Sequence, residues 1–290
     1  MTAAPHHLED RFASVRGWLF DVDGVLHVGS RPVPGARELL EDLIAREIPF
    51  RLLTNTTTAS RATLAARLRL MGLPVTEESL ITAPMATAAY VRRQFPGVSC
   101  YLLAKGDAVD DFRAAGVPIV GPDGKPDAGV VVIGGAEDEL TYARLNHAYR
   151  LLLGGAKLVA MHRNTAWRTA EGMALDSGPF VTALETATGT RATVIGKPAV
   201  AFFRQAIRDI GLPATALAMV GDDARNDLAP ARRLGLVGVL VRTGKPVGPA
   251  EEAQADVVID SVAELRGLEP ARRRSCRARR PATPGSTRPD

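Results

Sequence analysis

The chain has 290 residues, of which 46% are hydrophobic and 23% are charged, the usual proportions of a globular enzyme. No apolar stretch approaches the roughly 20 residues that a membrane-spanning helix needs. Two cysteines without a Cys-x-x-Cys spacing exclude a disulfide framework and a cysteine-based zinc site. Residues 1–16 lack the apolar region of a secretory signal, so we expect a cytoplasmic protein with no membrane partner.

The formal net charge of +4 comes from the end of the chain. Residues 269–290 hold seven arginines and two acidic residues, a net charge of +5, so the remaining residues carry a net charge of −1. This segment has four prolines and few large apolar residues, a composition that predicts disorder. We therefore expect a solvated extension, with an electrostatic tether as the alternative, and we do not expect nucleic acid as a partner.

Short aliphatic segments alternate with helix-like segments, which predicts a parallel sheet covered by helices. In chain order the predicted elements of the first and last parts are strand 17–20, helix 34–46, strand 50–53, helix 60–71, helix 199–210, strand 216–221, helix 227–234, strand 237–242 and strand 256–259. The predicted fold class is α/β, a Rossmann-like parallel-sheet core with helices on both faces.

A stretch of roughly 100 residues interrupts this series and is too long for a loop. Its predicted elements are helix 84–95, strand 100–104, strand 129–133, helix 142–153 and strand 157–161. This alternation predicts an α/β cap domain inserted into the core. The predicted domains are a discontinuous core at 1–81 and 188–268, the cap at 82–187 and the disordered segment at 269–290.

Polar residues follow three predicted core strands where these strands end: Asp21-Val22-Asp23, Thr54-Asn55 and Asp222-Asp223. A single acidic residue at a strand end is commonly a turn or a helix cap. In an open parallel sheet, however, ligands bind beyond the carboxyl ends of the strands. Three such ends, together with Lys197 in a Gly-Lys-Pro turn, favour a phosphate and Mg²⁺ site over coincidental turns.

Three of these residues have the side chains that phosphoryl transfer needs. Mg²⁺ prefers oxygen ligands, and Asp21 and Asp222 offer carboxylates from strands that would be neighbours. Lys197 offers an ammonium group, which offsets the negative charge of the phosphoryl oxygens. An ordinary aspartate is ionised at neutral pH. We therefore predict that Asp21 attacks phosphorus directly and forms an aspartyl-phosphate.

The remaining candidates assist this step. Asp23 would share a face with Asp21 on extended backbone, and a carboxyl group beside another carboxylate tends to keep its proton. We predict that Asp23 protonates the leaving oxygen and then deprotonates the attacking water. Thr54 and Asn55 offer a hydroxyl and an amide to the phosphate oxygens. Asp227 is either a helix N-cap or a group that orients Lys197 or a metal-bound water.

These residues resemble the four motifs of the haloacid dehalogenase superfamily. The motifs are Asp-Val-Asp-Gly-Val-Leu at 21–26, Thr-Asn at 54–55, Lys197 before Pro198, and Gly221 to Asp227. The resemblance covers the chain apart from residues 269–290. A cap between the second and third motifs resembles the type-two arrangement of the p-nitrophenyl phosphatase and phosphoglycolate phosphatase group. Segments similar to the phospholysine phosphohistidine inorganic pyrophosphate phosphatases are 172–179, 183–185 and 241–245.

The resemblance implies a Mg²⁺-dependent phosphatase of small phosphorylated metabolites, with Mg²⁺ held by Asp21, Asp222 and the backbone carbonyl of Asp23. Two positions depart from the pattern. Mammalian members of the subgroup have serine in place of Asp23, so we expect hydrolysis of phosphomonoesters, whose alkoxide leaving groups need a proton, in preference to P–N bonds or pyrophosphate. Thr56 stands where many members have asparagine, which predicts a lost contact to the substrate or the cap.

The resemblance also implies a cap that closes over the site, forms a homodimer, and selects the substrate through His162, Arg163 and Asp176. The alternative for these three residues is a solvated loop of the cap. For the whole chain the alternatives are a phosphohistidine, phospholysine or pyrophosphate phosphatase, a phosphotransferase with the same aspartyl-phosphate, and a catalytically silent binding protein. A dinucleotide-binding protein is not supported, because no Gly-x-Gly-x-x-Gly follows the first strand.

Overall fold

The computed structural model describes residues 12–121, 127–135, 137–169 and 172–268, so the extension predicted at 269–290 lies outside the described residues. The strands are β1 (Gly17–Asp21), β2 (His27–Val28), β3 (Arg31–Pro32), β4 (Phe50–Thr54), β5 (Leu80–Thr82), β6 (Cys100–Leu103), β7 (Ile119–Val120), β8 (Val130–Ile133), β9 (Lys157–Ala160), β10 (Ala166–Thr169), β11 (Gly172–Leu175), β12 (Thr193–Val194), β13 (Leu217–Gly221), β14 (Val237–Val241) and β15 (Val257–Ile259).

The helices are α1 (Ala36–Ala45), α2 (Arg61–Leu70), α3 (Ala83–Gln94), α4 (Val109–Ala114), α5 (Tyr142–Leu153), α6 (Gly178–Thr188), α7 (Val200–Ile210), α8 (Ala229–Arg233) and α9 (Pro249–Glu252). A π-helical turn, Ala224–Leu228, leads directly into α8, and short 3₁₀ turns lie at Glu77–Ser79, Glu137–Glu139, Ala214–Ala216 and Val262–Leu265. Within the described ranges, no helix is long and apolar enough to cross a membrane.

The core sheet has the strand order β15–β14–β13–β1–β4–β5, and each neighbouring pair is parallel. From β1 the chain adds β4 and β5 on one side, and later adds β13, β14 and β15 on the other. The strand order therefore reverses beside β1, and a crevice forms there beyond the carboxyl ends of the strands. The predicted α/β fold with a parallel-sheet core is confirmed.

Apolar side chains of the core strands point alternately to the two faces of the sheet, where helices cover them. In β1, Phe20 packs in a cluster with Leu40 of α1 and Leu68 of α2. Its neighbour Leu19 packs in the opposite cluster with Phe202 of α7. All of these side chains are buried. Helices thus lie on both faces of the core sheet, and the strand ends between them remain available for a site.

The inserted segment forms a second parallel sheet, with the order β12–β9–β8–β6–β7. Its central strand Val130–Ile133 is apolar at every position, because helices cover both faces. Helices α3 and α4 pack on one face, and α5 and α6 pack on the other. The antiparallel hairpin β10–β11 extends from this cap and has three exposed apolar residues, Trp167, Met173 and Leu175.

The cap continues further along the chain than the predicted boundary at residue 188. Strand β12 (Thr193–Val194) pairs with cap strand β9 and forms the edge of the cap sheet. The chain therefore returns to the core only after Val194, directly before Lys197. At the other boundary, β5 (Leu80–Thr82) pairs with core strand β4, close to the predicted start of the cap at residue 82.

One apolar cluster is continuous from the core into the cap. It contains Leu19 and Leu53 of the core sheet, Leu102 and Val132 of the cap sheet, and α3 between them. Since burial of apolar surface contributes roughly 25 cal/mol per Å², this shared cluster holds the two sheets together on the side of α3.

A polar junction between cap and core lies at the start of α2. The carboxylate of Asp107, in the loop after β6, accepts hydrogen bonds from the backbone N–H and the hydroxyl of Ser60, both at 2.9 Å. It also accepts one from the Thr63 hydroxyl at 2.5 Å. Nearby, the backbone N–H of Gly135 donates to the hydroxyl of Thr57 at 2.8 Å. The cap thus contacts the segment that follows the polar end of β4.

Candidate active site

Asp21 is the last residue of β1, and its carboxylate lies at the crevice between the strand ends. Its Oδ1 accepts a hydrogen bond from Nζ of Lys197 at 2.6 Å and another from the backbone N–H of Val22 at 2.7 Å. Both side chains of the Asp21–Lys197 pair are buried. Lys197 reaches this position because β12 ends in the segment just before it.

Two further carboxylates complete a buried acidic cluster. Carboxylate oxygens of Asp21, Asp222 and Asp227 all lie within 4.8 Å of one another. Oδ1 of Asp227 also forms an ion pair with Nζ of Lys197 at 2.7 Å. The residue that caps the π-helical turn is Asp223. Its carboxylate accepts hydrogen bonds from two backbone N–H groups of that turn. Asp227 therefore pairs with Lys197, which is the contact that an orienting role would need.

Burial raises the pKa of each carboxyl group in this cluster. It raises the pKa of Asp21 to about 6, with Lys197 opposing the shift and Asp222 and Asp23 adding to it. The pKa of Asp222 rises to about 6 through burial and repulsion from Asp227. Burial also raises the pKa of Asp227 to about 7. Negative charge is thus in excess, and a further cation would be stabilised here.

Two glycines make room beside Asp222. A Cβ atom on Gly24 or Gly244 would collide with the Asp222 carboxylate, and Gly24 has a φ of +83°. The loop after β14 holds this arrangement: the backbone N–H of Lys245 donates to Asp222 Oδ2 at 2.9 Å, and the Thr243 hydroxyl donates to the Gly24 carbonyl at 2.6 Å. Buried carboxylate oxygens with excess negative charge are the donor set that suits Mg²⁺.

Asp23 lies on the solvent side of the cluster, with 61% of its side chain exposed. Its Oδ2 accepts a hydrogen bond from the Thr56 hydroxyl at 3.2 Å and lies 3.4 Å from Oγ1 of Thr54. Its Oδ1 lies 3.5 Å from Nε2 of the buried His27. Thr56 contacts Asp23 in the structure, and the loss of a contact to the substrate or the cap at this position stays a prediction. Sequence reasoning did not identify Thr56 and His27 as partners of Asp23, because neither spacing nor residue type links them to it.

The side chain of Asn55 contacts the backbone of Lys197. Its Oδ1 accepts the backbone N–H of Lys197 at 2.9 Å, and its Nδ2 donates to the Lys197 carbonyl at 2.9 Å. The side-chain amide therefore fixes the backbone of Lys197, and its contact with phosphate oxygens stays a prediction. The hydroxyl of Thr54, at the end of β4, remains the side-chain donor of this motif that faces the site.

The three candidate residues of the cap contact the cap itself. His162 is buried, its Nδ1 accepts the backbone N–H of Asn164 at 3.2 Å, and its Nε2 lies 3.8 Å from Asp176. Burial lowers the pKa of His162, and Asp176 opposes this shift. Arg163 pairs with Glu185 at 2.8 Å. His162 is therefore not part of a solvated loop, and Arg163 is engaged inside the cap.

Comparison with known proteins identifies the family. A family model described as haloacid dehalogenase-like hydrolase matches residues 18–118, and a HAD-hydrolase-like model matches residues 194–265. Human haloacid dehalogenase-like hydrolase domain-containing protein 2 is 38% identical over 239 residues, covering 82% of this chain and 88% of the relative. The chain belongs to the haloacid dehalogenase-like hydrolases.

Other haloacid dehalogenase-like hydrolases are similar along most of their length. Human phospholysine phosphohistidine inorganic pyrophosphate phosphatase is 32% identical over 264 residues, covering 88% of this chain and 94% of the relative. The 4-nitrophenylphosphatase of Thermotoga maritima has a TM-score of 0.79 and 27% identity, covering 88% of this chain and 97% of that one. The predicted superfamily and the prediction that the chain is an enzyme of this hydrolase class are confirmed.

Proposed function

We propose that this haloacid dehalogenase-like hydrolase is a Mg²⁺-dependent phosphatase that hydrolyses small phosphorylated metabolites through an aspartyl-phosphate at Asp21. The observation that carries the proposal is the buried pair of Asp21 and Lys197, 2.6 Å apart, beside the carboxylates of Asp222 and Asp227. An anionic nucleophile next to fixed positive charge is what attack on a phosphoryl group requires.

The metal site and the nucleophile share one residue. Asp21, Asp222 and the backbone carbonyl of Asp23 would hold Mg²⁺, which supplies positive charge to the phosphoryl oxygens. Lys197 and the backbone N–H of Val22 fix Oδ1 of Asp21 and thereby orient its carboxylate toward phosphorus. Asp227 holds Lys197 from the other side, so the ammonium group stays in place during the reaction.

Thr54 contacts the phosphoryl group of the substrate, and Asp23 contacts the leaving group. The hydroxyl of Thr54 donates to an oxygen of the phosphoryl group. As the Asp21 carboxylate forms its bond to phosphorus and the ester P–O bond breaks, Asp23 gives its proton to the leaving oxygen. Asp23 then takes a proton from water, the water oxygen bonds to phosphorus, and the bond to Asp21 breaks to release inorganic phosphate.

Asp23 supports phosphomonoesters as the substrate class. The human phosphatase relative carries phospholysine, phosphohistidine and pyrophosphate in its name. In this chain the exposed carboxyl group of Asp23 faces solvent beside the nucleophile, where an alkoxide leaving group can receive its proton. We therefore place phosphomonoesters ahead of P–N bonds and pyrophosphate.

Two further parts of the proposal concern the whole protein. We propose a homodimer formed through the cap, which is supported by the exposed apolar residues Trp167, Met173 and Leu175 on the β10–β11 hairpin. We also propose a cytoplasmic location, which the buried free thiol of Cys100 suits. Sedimentation velocity of the full chain, with Met173→Glu as the variant expected to shift the protein toward monomer, tests the dimer.

The activity is tested by phosphate release from 4-nitrophenyl phosphate, sugar phosphates, nucleotides, phosphoglycolate, pyridoxal phosphate, pyrophosphate and phosphohistidine. We expect turnover of the monoesters that EDTA abolishes and Mg²⁺ restores. Asp222→Asn removes a metal ligand and should lower kcat/KM at least about 100-fold, whereas Asp209→Asn, an exposed aspartate on α7, should not change it. Turnover that survives EDTA, or release from none of these phosphates, contradicts the proposal.

A further inference from the structure

A chain of hydrogen bonds links the phosphate side of the site to Asp23 through Thr56. The backbone N–H of Thr56 donates to Oγ1 of Thr54 at 3.0 Å, and the Thr54 hydroxyl lies 2.9 Å from Oγ1 of Thr56. The Thr56 hydroxyl lies 3.2 Å from Oδ2 of Asp23. Each hydroxyl has one proton to donate. The Thr54 proton goes to Thr56 in the substrate-free site, and in the proposed reaction it goes to a phosphoryl oxygen. In both cases the Thr56 hydroxyl keeps its own proton and is the direct donor to Asp23.

The second oxygen of Asp23 faces a fixed ring. His27 is buried, and its Nδ1 lies 2.9 Å from the carbonyl oxygen of Gly29, which holds the imidazole in place. Nε2 of the same ring lies 3.5 Å from Oδ1 of Asp23. The carboxyl group is thus bounded by Thr56 at one oxygen and by His27 at the other, and the shorter of the two contacts is with Thr56.

Such a restraint matters because Asp23 is otherwise open to solvent, with 61% of its side chain exposed. An unrestrained exposed carboxyl group samples several rotamers. Proton transfer, however, needs the donor oxygen within about 2.6–3.2 Å of the leaving oxygen, and a misplacement of about 1 Å costs on the order of 100-fold in rate. A hydroxyl that fixes one carboxyl oxygen therefore favours the rotamer in which the other can reach the leaving group.

We propose that Thr56 is a positioning residue for Asp23 and that it determines how well the enzyme cleaves esters with poor leaving groups. The inference rests on the proposed function. In the first step Asp21 bonds to phosphorus, the ester P–O bond breaks, and the Asp23 proton moves to the leaving oxygen to give an alcohol. Asp23 is left as a carboxylate, whose Oδ2 the Thr56 hydroxyl continues to hold.

A comparison of two esters with different leaving groups distinguishes this positioning role from a purely structural one. 4-Nitrophenolate is stable as an anion and leaves without a proton, whereas phenolate is more basic and gains far more from one. The ratio kcat/KM reports the step in which the leaving group departs, whichever later step limits kcat. A residue that only supports the fold should lower kcat/KM for both esters equally, whereas a residue that positions Asp23 should affect the phenyl ester more.

The experiment compares Thr56→Val, which removes the hydroxyl at nearly constant shape, with Thr56→Ser, which keeps it. Both are assayed with Mg²⁺ on phenyl phosphate and on 4-nitrophenyl phosphate. We expect Thr56→Val to lose at least about 10-fold in kcat/KM on phenyl phosphate and less than about 3-fold on 4-nitrophenyl phosphate. Thr56→Ser should stay within about 3-fold of wild type on both. Thr186→Val, at an exposed position on α6, is the matched control and should change neither value.

Equal losses on the two esters, no loss on either, or a Thr56→Ser variant as impaired as Thr56→Val would overturn the role of Thr56. If Thr56→Val does not fold by circular dichroism, Thr56→Ala, which also lacks the hydroxyl, takes its place. Wild-type protein that releases phosphate from neither ester contradicts the proposed phosphatase itself. An active wild type with equal losses contradicts only the inference about Thr56.

Discussion

At the residue scale, the balance of charge around Asp21 determines what the site can bind. Five aspartates lie close together at or just after the ends of β1 and β13: Asp21, Asp23, Asp222, Asp223 and Asp227. Two ammonium groups face them, Lys197 between Asp21 and Asp227, and Lys245 at Asp223. Burial opposes the charge of Lys197, but the two carboxylates outweigh this effect and raise its pKa. Lys197 is therefore cationic at neutral pH, and the remaining negative charge would attract a metal ion.

Replacement of Lys197 tests this balance. Lys197→Gln leaves Asp21 and Asp227 facing each other without the ammonium group, so the attacking carboxylate loses its partner and the phosphoryl charge loses its counter-charge. We expect a loss of at least about 100-fold in kcat/KM for 4-nitrophenyl phosphate. Lys157→Gln, at an exposed lysine of β9, is the control. A Lys197→Gln enzyme within about 2-fold of wild type would show that the pair does not act in the reaction.

The raised pKa values predict how the metal-free protein responds to pH. From an ordinary value of 3.8, the pKa rises to about 6 for Asp21 and Asp222 and to about 7 for Asp227. Between the ordinary pKa of 3.8 and the raised values of about 6 to about 7, the folded state therefore binds more protons than the unfolded chain. The stability that this contributes is present below pH about 4 and is lost as the pH rises through 6 and 7.

We expect this loss to appear as a falling Tm in EDTA between pH 5 and pH 8, with Mg²⁺ raising the Tm most at pH 8. Comparison with Asp227→Asn isolates the cluster, because other titrating groups such as His162 are common to both proteins. The stability of Asp227→Asn relative to wild type should increase as the pH rises. A stability difference that stays constant or decreases with pH would contradict the raised pKa values of the cluster.

At the scale of elements, the segment after β4 connects the site with the cap. Thr54 ends β4, and Thr56 contacts Asp23. Thr57 accepts a backbone hydrogen bond from the cap. Ser60 is the N-cap of α2, and its N–H and hydroxyl donate to Asp107. Cap and core therefore meet at the start of α2, a few residues from the polar end of β4.

Asp107 is the residue whose removal tests this junction. Asp107→Ala deprives Ser60 and Thr63 of their common acceptor, and leaving such donors unpaired costs about 1–3 kcal/mol. We expect the free energy of unfolding in urea to fall by that amount. Asp110→Ala is the matched control, because Asp110 is exposed and pairs with the exposed Arg113. Equal effects of the two substitutions would mean that Asp107 does not stabilise the junction.

The sequence predicts the regular elements well where their periodicity is strong. Helix α5 of the cap has the predicted bounds, 142–153, and the other predicted elements differ from the observed ones by at most two residues at either end. Strand β12 and the hairpin β10–β11 were not predicted as elements. A two-residue strand has no period to detect, and the hairpin is too exposed for alternation between buried and exposed positions.

The site was predictable in its residue types but not in its partners. Asp21, Lys197 and Asp222 could be selected because acidic and basic residues at strand ends indicate phosphate chemistry. The hydrogen bonds from Asn55 to the backbone of Lys197, and from Thr56 to Asp23, depend on how loops from distant parts of the chain approach each other. Spacing along the sequence carries no signal for such contacts.

At the scale of the whole molecule, the shared apolar cluster makes cap and core one packed unit on the side of α3. Proteins with two domains often unfold in separate steps. Here the same cluster contains Leu19 and Leu53 of the core sheet and Leu102 and Val132 of the cap sheet. Loss of either sheet exposes apolar surface of the other, so we expect the two to unfold together.

The two tryptophans of the chain allow this to be measured, since Trp18 lies in β1 and Trp167 in the cap hairpin. In Trp18→Phe, the fluorescence of Trp167 reports on the cap while circular dichroism reports on the whole protein. We expect both signals to give one urea midpoint, and Trp167→Phe, followed through Trp18, to do the same. Distinct midpoints within one variant contradict a single unit.

The central claim, that Asp21 carries the phosphoryl group, is tested most directly by trapping the intermediate. Enzyme turning over 4-nitrophenyl phosphate with Mg²⁺ is quenched in acid and reduced with borohydride, which converts an acyl phosphate to an alcohol, and its peptides are analysed by mass spectrometry. We expect reduction at Asp21 that depends on substrate and Mg²⁺ and that increases in Asp23→Asn, where the attacking water has lost its base. Reduction at another carboxylate, or none at Asp21 during turnover, contradicts the account.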